Sequence, residues 1–187
     1  MNKPLATPLE FFEYEKESIR LIFDFRYAAA LLQHQDKFSH IGSRPIDQQL
    51  LEKKFPKLCN SIKKITNEKD KFFARFFVTV PNSKGDIHID TIEESKDHFR
   101  HWALNIPISN CEGTFHEWYD THQTPYTKFQ YSALYWTNYN SGTLIDKHEL
   151  TVPSILNVSV PHRIYNPLNS YRIVLSVRTE SDVFNVN

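Results

Sequence analysis

Ile87-His88-Ile89-Asp90-Thr91 follows the turn-forming stretch Pro81-Asn82-Ser83-Lys84-Gly85-Asp86. Its apolar residues alternate with His88 and Asp90. That is the two-residue period of a half-buried strand, so the imidazole and the carboxylate point to one face. On either side lie further short β-rich runs, separated by polar or proline-containing turns: Phe73 to Val80, Phe99 to Ile108, Gly113 to Tyr119, Tyr131 to Thr137, Ser154 to His162 and Tyr171 to Arg178. Seven such runs in succession predict a mainly β protein, an antiparallel barrel or jelly roll.

The residues before Phe72 have a different texture. Leu50, Leu51, Phe55, Leu58, Ile62 and Ile65 recur at three- and four-residue steps, which predicts an amphipathic helix over Asp47 to Ile65 with a kink at Pro56. Leu9 to Gln35 mixes periods and supports either a strand or the start of a helix. The charged stretch Asn67 to Lys71 ends the helical part. We expect one domain, 1–187, in which residues 1–70 form a partly helical support packed on one sheet and residues 71–180 form the jelly-roll core. A chain of 187 residues can bury about two thirds of its unfolded surface in one core.

Composition narrows the partners. Lys+Arg and Asp+Glu both total 22, giving a net charge of zero with no long block of one sign. This speaks against a nucleic-acid or membrane-surface partner. Cys59 and Cys111 fit neither a disulfide framework nor a zinc motif and are expected to be reduced, partly buried thiols. With no signal-peptide pattern and no run long enough to cross a bilayer, the expected location is the cytoplasm. The glycosylation-type triplet Asn157-Val158-Ser159 lies in an apolar strand-like run and is read as a chance match.

A metal site is the chemistry that His88-Ile89-Asp90 invites. An imidazole and a carboxylate two residues apart on a strand can take adjacent positions on one ion. A histidine from a distant strand would complete a two-histidine, one-carboxylate triad, the arrangement that leaves sites open on non-haem iron. The C-terminal part supplies a candidate in Leu156-Asn157-Val158-Ser159-Val160-Pro161-His162, followed by the turn Asn166-Pro167-Leu168-Asn169 and by Tyr171-Arg172-Ile173-Val174-Leu175-Ser176-Val177-Arg178. These two stretches read as antiparallel strands joined by a loop. A register placing His162 opposite Arg172 would put both on one face. Arg172 is then suited to receive a carboxylate whose other end chelates the metal, because guanidinium is planar and permanently charged.

At these residues the chain resembles the Fe(II)/2-oxoglutarate-dependent oxygenase superfamily. Within it, the chain is most similar to compact aspartyl/asparaginyl β-hydroxylase-like and phage-type members, through Ala103-Leu104-Asn105-Ile106-Pro107-Ile108 and Cys111-Glu112-Gly113-Thr114. The resemblance covers Phe73 to Arg178. It implies a double-stranded β-helix, a cupin-like jelly roll, with His88, Asp90 and His162 as iron ligands and catalytic centre. It further implies that Arg172 binds the 2-oxoglutarate cosubstrate, with Asn105 and Arg100 nearby. Many members carry Ser two residues after the arginine; here that position is Val174, and the nearest hydroxyl is Ser176. The implied reaction is hydroxylation of a small molecule or amino-acid side chain by dioxygen, with release of succinate and CO2. The carboxylate ligand favours hydroxylation over halogenation.

Other histidines are less promising. The pairs His98/His101 and His116/His122 lie at loop-to-strand junctions and do not present two imidazoles on one strand face. His148 and Glu149 are expected in a solvent-facing loop. Two other function classes compete with the oxygenase: a cupin-like metal enzyme that does not use oxoglutarate and has no need of Arg172, and a non-catalytic jelly-roll binding module. Substrate contacts are expected between Trp118 and Tyr139, above all from the loop Asp120 to Lys128, so Tyr126, Lys128 and Trp118 are the candidate substrate-binding residues.

Overall fold

The computed structural model describes residues 4–22, 41–46, 48–66, 71–91, 101–122, 127–131, 134–179, 181 and 184, with the backbone alone described for 22, 41–44, 91, 127–131 and 134–136. Along the chain run β1 (Ala6–Pro8), α1 (Lys16–Ile22), β2 (Ile41–Ile46), α2 (Gln48–Lys54), α3 (Pro56–Ile65), β3 (Phe72–Thr79), β4 (Ser83–Lys84), β5 (Ile87–Thr91) and β6 (Trp102–Ser109). There follow β7 (Phe115–Asp120), β8 (Thr127–Tyr131), β9 (Leu134–Tyr139), β10 (Thr143–Glu149), β11 (Ser154–Asn157), β12 (His162–Asn166) and β13 (Arg172–Thr179). The strands form two antiparallel sheets. One has the order β1-β11-β6-β13-β3-β2; the other is β10-β7-β12-β5-β9-β8, with β4 added beside β12. This is a mainly β, cupin-like jelly roll with the helices on one sheet, as expected.

The six-stranded sheet has two unlike faces, and strand alternation produces both. On β3, Phe72, Ala74, Phe76 and Val78 are buried on one side; on β13, Ile173, Leu175 and Val177 join them. These residues form a single core with Leu51, Phe55, Leu58, Ile62 and Ile65 from the helices. The large apolar core therefore lies between helices and sheet. The opposite face of the same strands carries Phe77, Thr79, Asn105, Arg172, Val174, Ser176 and Arg178 into the space between the sheets, where they line a pocket. Smaller apolar clusters complete the sandwich, one of Ala103, Trp118, Leu156 and Val158, the other of Cys111, Leu150 and Val174.

The Asp47 to Ile65 helix is divided rather than kinked. Phe55 separates α2 from α3 and Pro56 is the first residue of α3, where its missing N–H costs nothing. The next two N–H groups, of Lys57 and Leu58, donate to the Glu15 carboxylate at 2.8 and 3.1 Å. Three further expectations are corrected. Ser154 to His162 is not one strand but the end of one sheet and the start of the other. Pro161 cannot donate to a ladder, and Asn157 Oδ1 accepts from the Ser159 N–H and hydroxyl in a local turn. Tyr131 to Thr137 is likewise split between β8 and β9, which pair with each other. His148 and Glu149 are not in a loop: they sit half-buried on β10, where His148 Nε2 bonds the Ser154 hydroxyl at 3.0 Å and Glu149 accepts the Gly113 N–H. An edge strand exposed along most of its length has the composition of a loop.

Cys59 and Cys111 are free and buried. Among the described residues, no helix is long and apolar enough to cross a membrane. Replacing Glu15 by alanine frees two N–H groups of α3, and urea denaturation should show about 1 kcal/mol of stability lost. Unchanged stability would show that water caps the helix equally well.

Candidate metal centre and its pocket

His88 and Asp90 share the inner face of β5, and β12 lies alongside with His162 directly opposite His88. The two imidazole centroids are 4.5 Å apart. Each ring is oriented by the carbonyl two residues before it. His88 Nδ1 lies 2.8 Å from the Asp86 oxygen and His162 Nδ1 2.9 Å from the Val160 oxygen. A carbonyl only accepts, so both Nδ1 atoms carry the proton and each Nε2 is the ring nitrogen turned toward the pocket. Both Nε2 atoms face Asp90 Oδ1, at 3.5 Å from His88 and 4.0 Å from His162. Among the described residues these three form the one group whose ligand atoms lie within 4.8 Å of one another and could hold a metal ion.

The second oxygen of Asp90 is already engaged. Arg178 donates to Oδ2 at 2.6 Å and steadies itself with a 2.7 Å bond to the Ser176 hydroxyl. Asp90 is thus left with one oxygen, Oδ1, to offer an ion, and that oxygen is turned to the imidazoles. Burial opposes its ionisation, but the His88 hydrogen bond and the charge of Arg178 outweigh burial and hold its carboxyl far below the usual range. Burial, then the charge of His88, pushes His162 down to about 3, so it stays a neutral donor. For His88, burial acts downward too, but its hydrogen bond to Asp90 wins and the value is raised. Without metal, His88 is the ring that more readily takes a second proton, on the Nε2 that faces Asp90.

Arg172 reaches this pocket from the other sheet. The expected pairing of His162 with Arg172 does not occur: β12 pairs with β4, β5 and β7, whereas β13 pairs with β3 and β6. The intervening turn crosses the sandwich, pinned by buried Asn166. Its amide donates to the carbonyls of Val80 and Ser170, each at 2.9 Å, and its oxygen accepts the Leu168 N–H. Arg172 is 2 % exposed. Its Nε donates to Thr114 Oγ1 at 3.0 Å, but its Nη2 is buried with no partner among the described residues. Thr79, opposite Arg172 on β3, and Asn105, opposite Ser176 on β6, also present unpartnered buried oxygens. A guanidinium nitrogen left without an acceptor in a dry pocket is costly. A bound carboxylate would remove that cost, so these residues fit a carboxylate-bearing cosubstrate.

The remaining expected contacts fare differently. Asn105 and Ser176 line the pocket. Arg100 and Tyr126 lie outside the described residues, and so does the side chain of Lys128, whose backbone belongs to β8. Trp118 is corrected. It points inward beside His162 but is fully buried against Ala103, Leu156 and Val158, with its indole N–H on the Asn157 carbonyl at 2.7 Å, and it does not line the pocket. Reading the sequence missed Arg178, Thr114 and His116. His116 stacks on His162, with centroids 4.6 Å apart. Burial first, then the neighbouring His162 and the Arg172 guanidinium, push its pKa well below the usual imidazole range. Its signal was the alternation Thr114-Phe115-His116-Glu117-Trp118, which puts residues 114, 116 and 118 on one face. Of the other histidines, His122 is exposed beside Asp120 and His101 is exposed.

No protein-family model matches the chain, and no curated protein matches it in sequence. Among solved structures it is similar to a prolyl-4-hydroxylase from Pseudomonas putida, at 13% identity over 98% of this chain and 93% of that one, with a TM-score of 0.47. It is also similar to oxalate decarboxylase from Lactobacillus farciminis (12% identity, TM-score 0.37) and to vicilin from Capsicum annuum (10%, 0.38). It covers 80% and 79% of its own length in these matches but only 31% and 30% of those chains. The chemistry of the site follows from its own residues and distances.

Proposed function

We propose that this chain is an Fe(II)- and 2-oxoglutarate-dependent oxygenase that hydroxylates a small molecule or an amino-acid side chain. One observation carries the reading: the Nε2 atoms of His88 and His162 and one oxygen of Asp90 lie within 4.8 Å of one another, and in the same pocket Nη2 of buried Arg172 has no hydrogen-bond partner among the described residues. When bound, iron and oxoglutarate would supply oxidation of a substrate C–H bond by dioxygen, coupled to conversion of oxoglutarate into succinate and CO2. The protein supplies the placement. His88, His162 and Asp90 Oδ1 offer three ligands on one side of the ion and leave the other side open. Arg178 keeps Asp90 from binding through both oxygens. Arg172 receives the far carboxylate of the cosubstrate, with Thr79, Asn105 and Ser176 as neighbouring polar groups. A cupin-like metal enzyme without oxoglutarate would have no use for a buried guanidinium, and a binding module would have no use for the triad.

The substrate side follows from strand direction. β7 begins next to Thr114, which holds Arg172, and leaves at Asp120 beyond the His162 row. The segment after Asp120 therefore departs from the end of the strand away from the cosubstrate anchor. In this proposal Tyr126 and Lys128, on that segment, contribute to the substrate pocket.

Two kinds of measurement test the proposal, cosubstrate binding and the dependence of metal affinity on pH. Anaerobic protein with Fe(II) should develop the weak visible charge-transfer band of a chelated 2-oxo acid when oxoglutarate is added. Arg172→Leu should weaken oxoglutarate binding about ten- to hundredfold, the worth of a charge-assisted pair, while metal binding stays nearly intact. Equal oxoglutarate affinity in that variant would instead favour the cupin-type enzyme. The second measurement concerns pH. A proton and the metal compete for His88 Nε2, whose folded value lies above 6.5. Fe(II) affinity should accordingly be full above that value and fall as pH drops through it, by up to about tenfold per pH unit. A flat profile from pH 8 to about 5.5 would remove His88 from the ligand set.

A further inference from the structure

One polar side chain in the pocket is used neither by the metal nor by Arg172. His116 lies on β7, two residues from Thr114, whose hydroxyl accepts the Nε–H of Arg172. Its ring lies nearly flat against that of His162, with planes 17° apart, and Trp118 covers it at 4.5 Å. His116 therefore stands between a metal ligand and the residue that steadies Arg172, beside the interval a molecule anchored at both would span. It is 1% exposed and lines the same pocket. Neither Nδ1 nor Nε2 has a hydrogen-bond partner among the described residues.

An imidazole in that state is a poor packing residue. A neutral ring carries one donor and one acceptor, and leaving both unmade in a dry interior costs more than a phenyl ring of similar size would. Phenylalanine could stack on the same two neighbours without that cost. His116 is also not part of the ligand group: among the described residues only His88, Asp90 and His162 bring ligand atoms together. Its unused N–H calls for an acceptor that arrives with a ligand, and the neighbouring Arg172 calls for the same kind of group.

We propose that His116 donates a ring N–H to the distal carboxylate of the bound 2-oxo dicarboxylate and shares that carboxylate with Arg172. The assignment rests on the oxoglutarate reading above. It makes His116 a determinant of cosubstrate choice: a 2-oxo acid without the second carboxylate gains nothing from it.

Binding to the full chain loaded with Fe(II) under anaerobic conditions, read from the charge-transfer band, tests this without turnover. His116→Phe keeps the stack and removes the donor; it should bind oxoglutarate about ten- to hundredfold more weakly than the unmodified protein. The same variant should retain Fe(II) affinity and should bind pyruvate, which lacks the distal carboxylate, as the unmodified protein does. His116→Gln, which keeps a donor, should recover part of the oxoglutarate affinity and guards against a folding defect in the first variant. Equal oxoglutarate affinity in His116→Phe overturns the assignment, as does an equal loss for pyruvate or a matching loss of Fe(II). A band absent from the unmodified protein overturns the oxoglutarate reading itself; a normal band unchanged by His116→Phe overturns only the role of His116.

Discussion

Each side of β13 faces a different medium, and the rest of the molecule depends on that. Ile173, Leu175 and Val177 enter the apolar core against the helices, while Arg172, Val174, Ser176 and Arg178 enter the space between the sheets. Most of the hydrophobic stabilisation is thereby placed outside the sandwich. Its interior can then hold two arginines, two threonines and three imidazoles without being asked to act as the main core. The N-terminal helices are what make a polar sandwich interior affordable.

Within that interior, charge is arranged in opposed pairs. Arg178 neutralises the far oxygen of Asp90, and the near oxygen faces two imidazoles whose protons are drawn to backbone carbonyls. Among the described residues nothing comparable neutralises Arg172. It keeps one neutral bond to Thr114 and an idle nitrogen. A site with one satisfied, partly exposed cation and one unsatisfied, buried cation is matched to an incoming anion that binds at the second.

Much of this was legible beforehand, and the unread parts share a cause. Alternation within a single strand revealed the His88/Asp90 face and the strand character of Tyr171 to Arg178, because that period is local. Which sheet each strand joins is not local. His162 and Arg172 meet through the crossing at Asn166 rather than through a shared ladder, and the side-chain bonds that pin the crossing leave no periodic trace. Arg178 was overlooked for the same reason: its partner Asp90 is far away in sequence. Trp118 was assigned to substrate because aromatics are dense after Glu117, yet its alternation with His116 already placed it inside. His148 and Glu149 show the converse, an exposed edge strand written in loop residues.

The central claim is that three preset ligands and one idle guanidinium form a two-anchor site. Its most direct measurement is an anaerobic crystal structure of the full chain with Mn(II), as a redox-inert stand-in for iron, and oxoglutarate. The account predicts anomalous density bonded to His88 Nε2, His162 Nε2 and Asp90 Oδ1, with the distal carboxylate of oxoglutarate on Arg172 Nη2. An ion bound elsewhere, or oxoglutarate that bypasses Arg172 in a metal-loaded crystal, would contradict it.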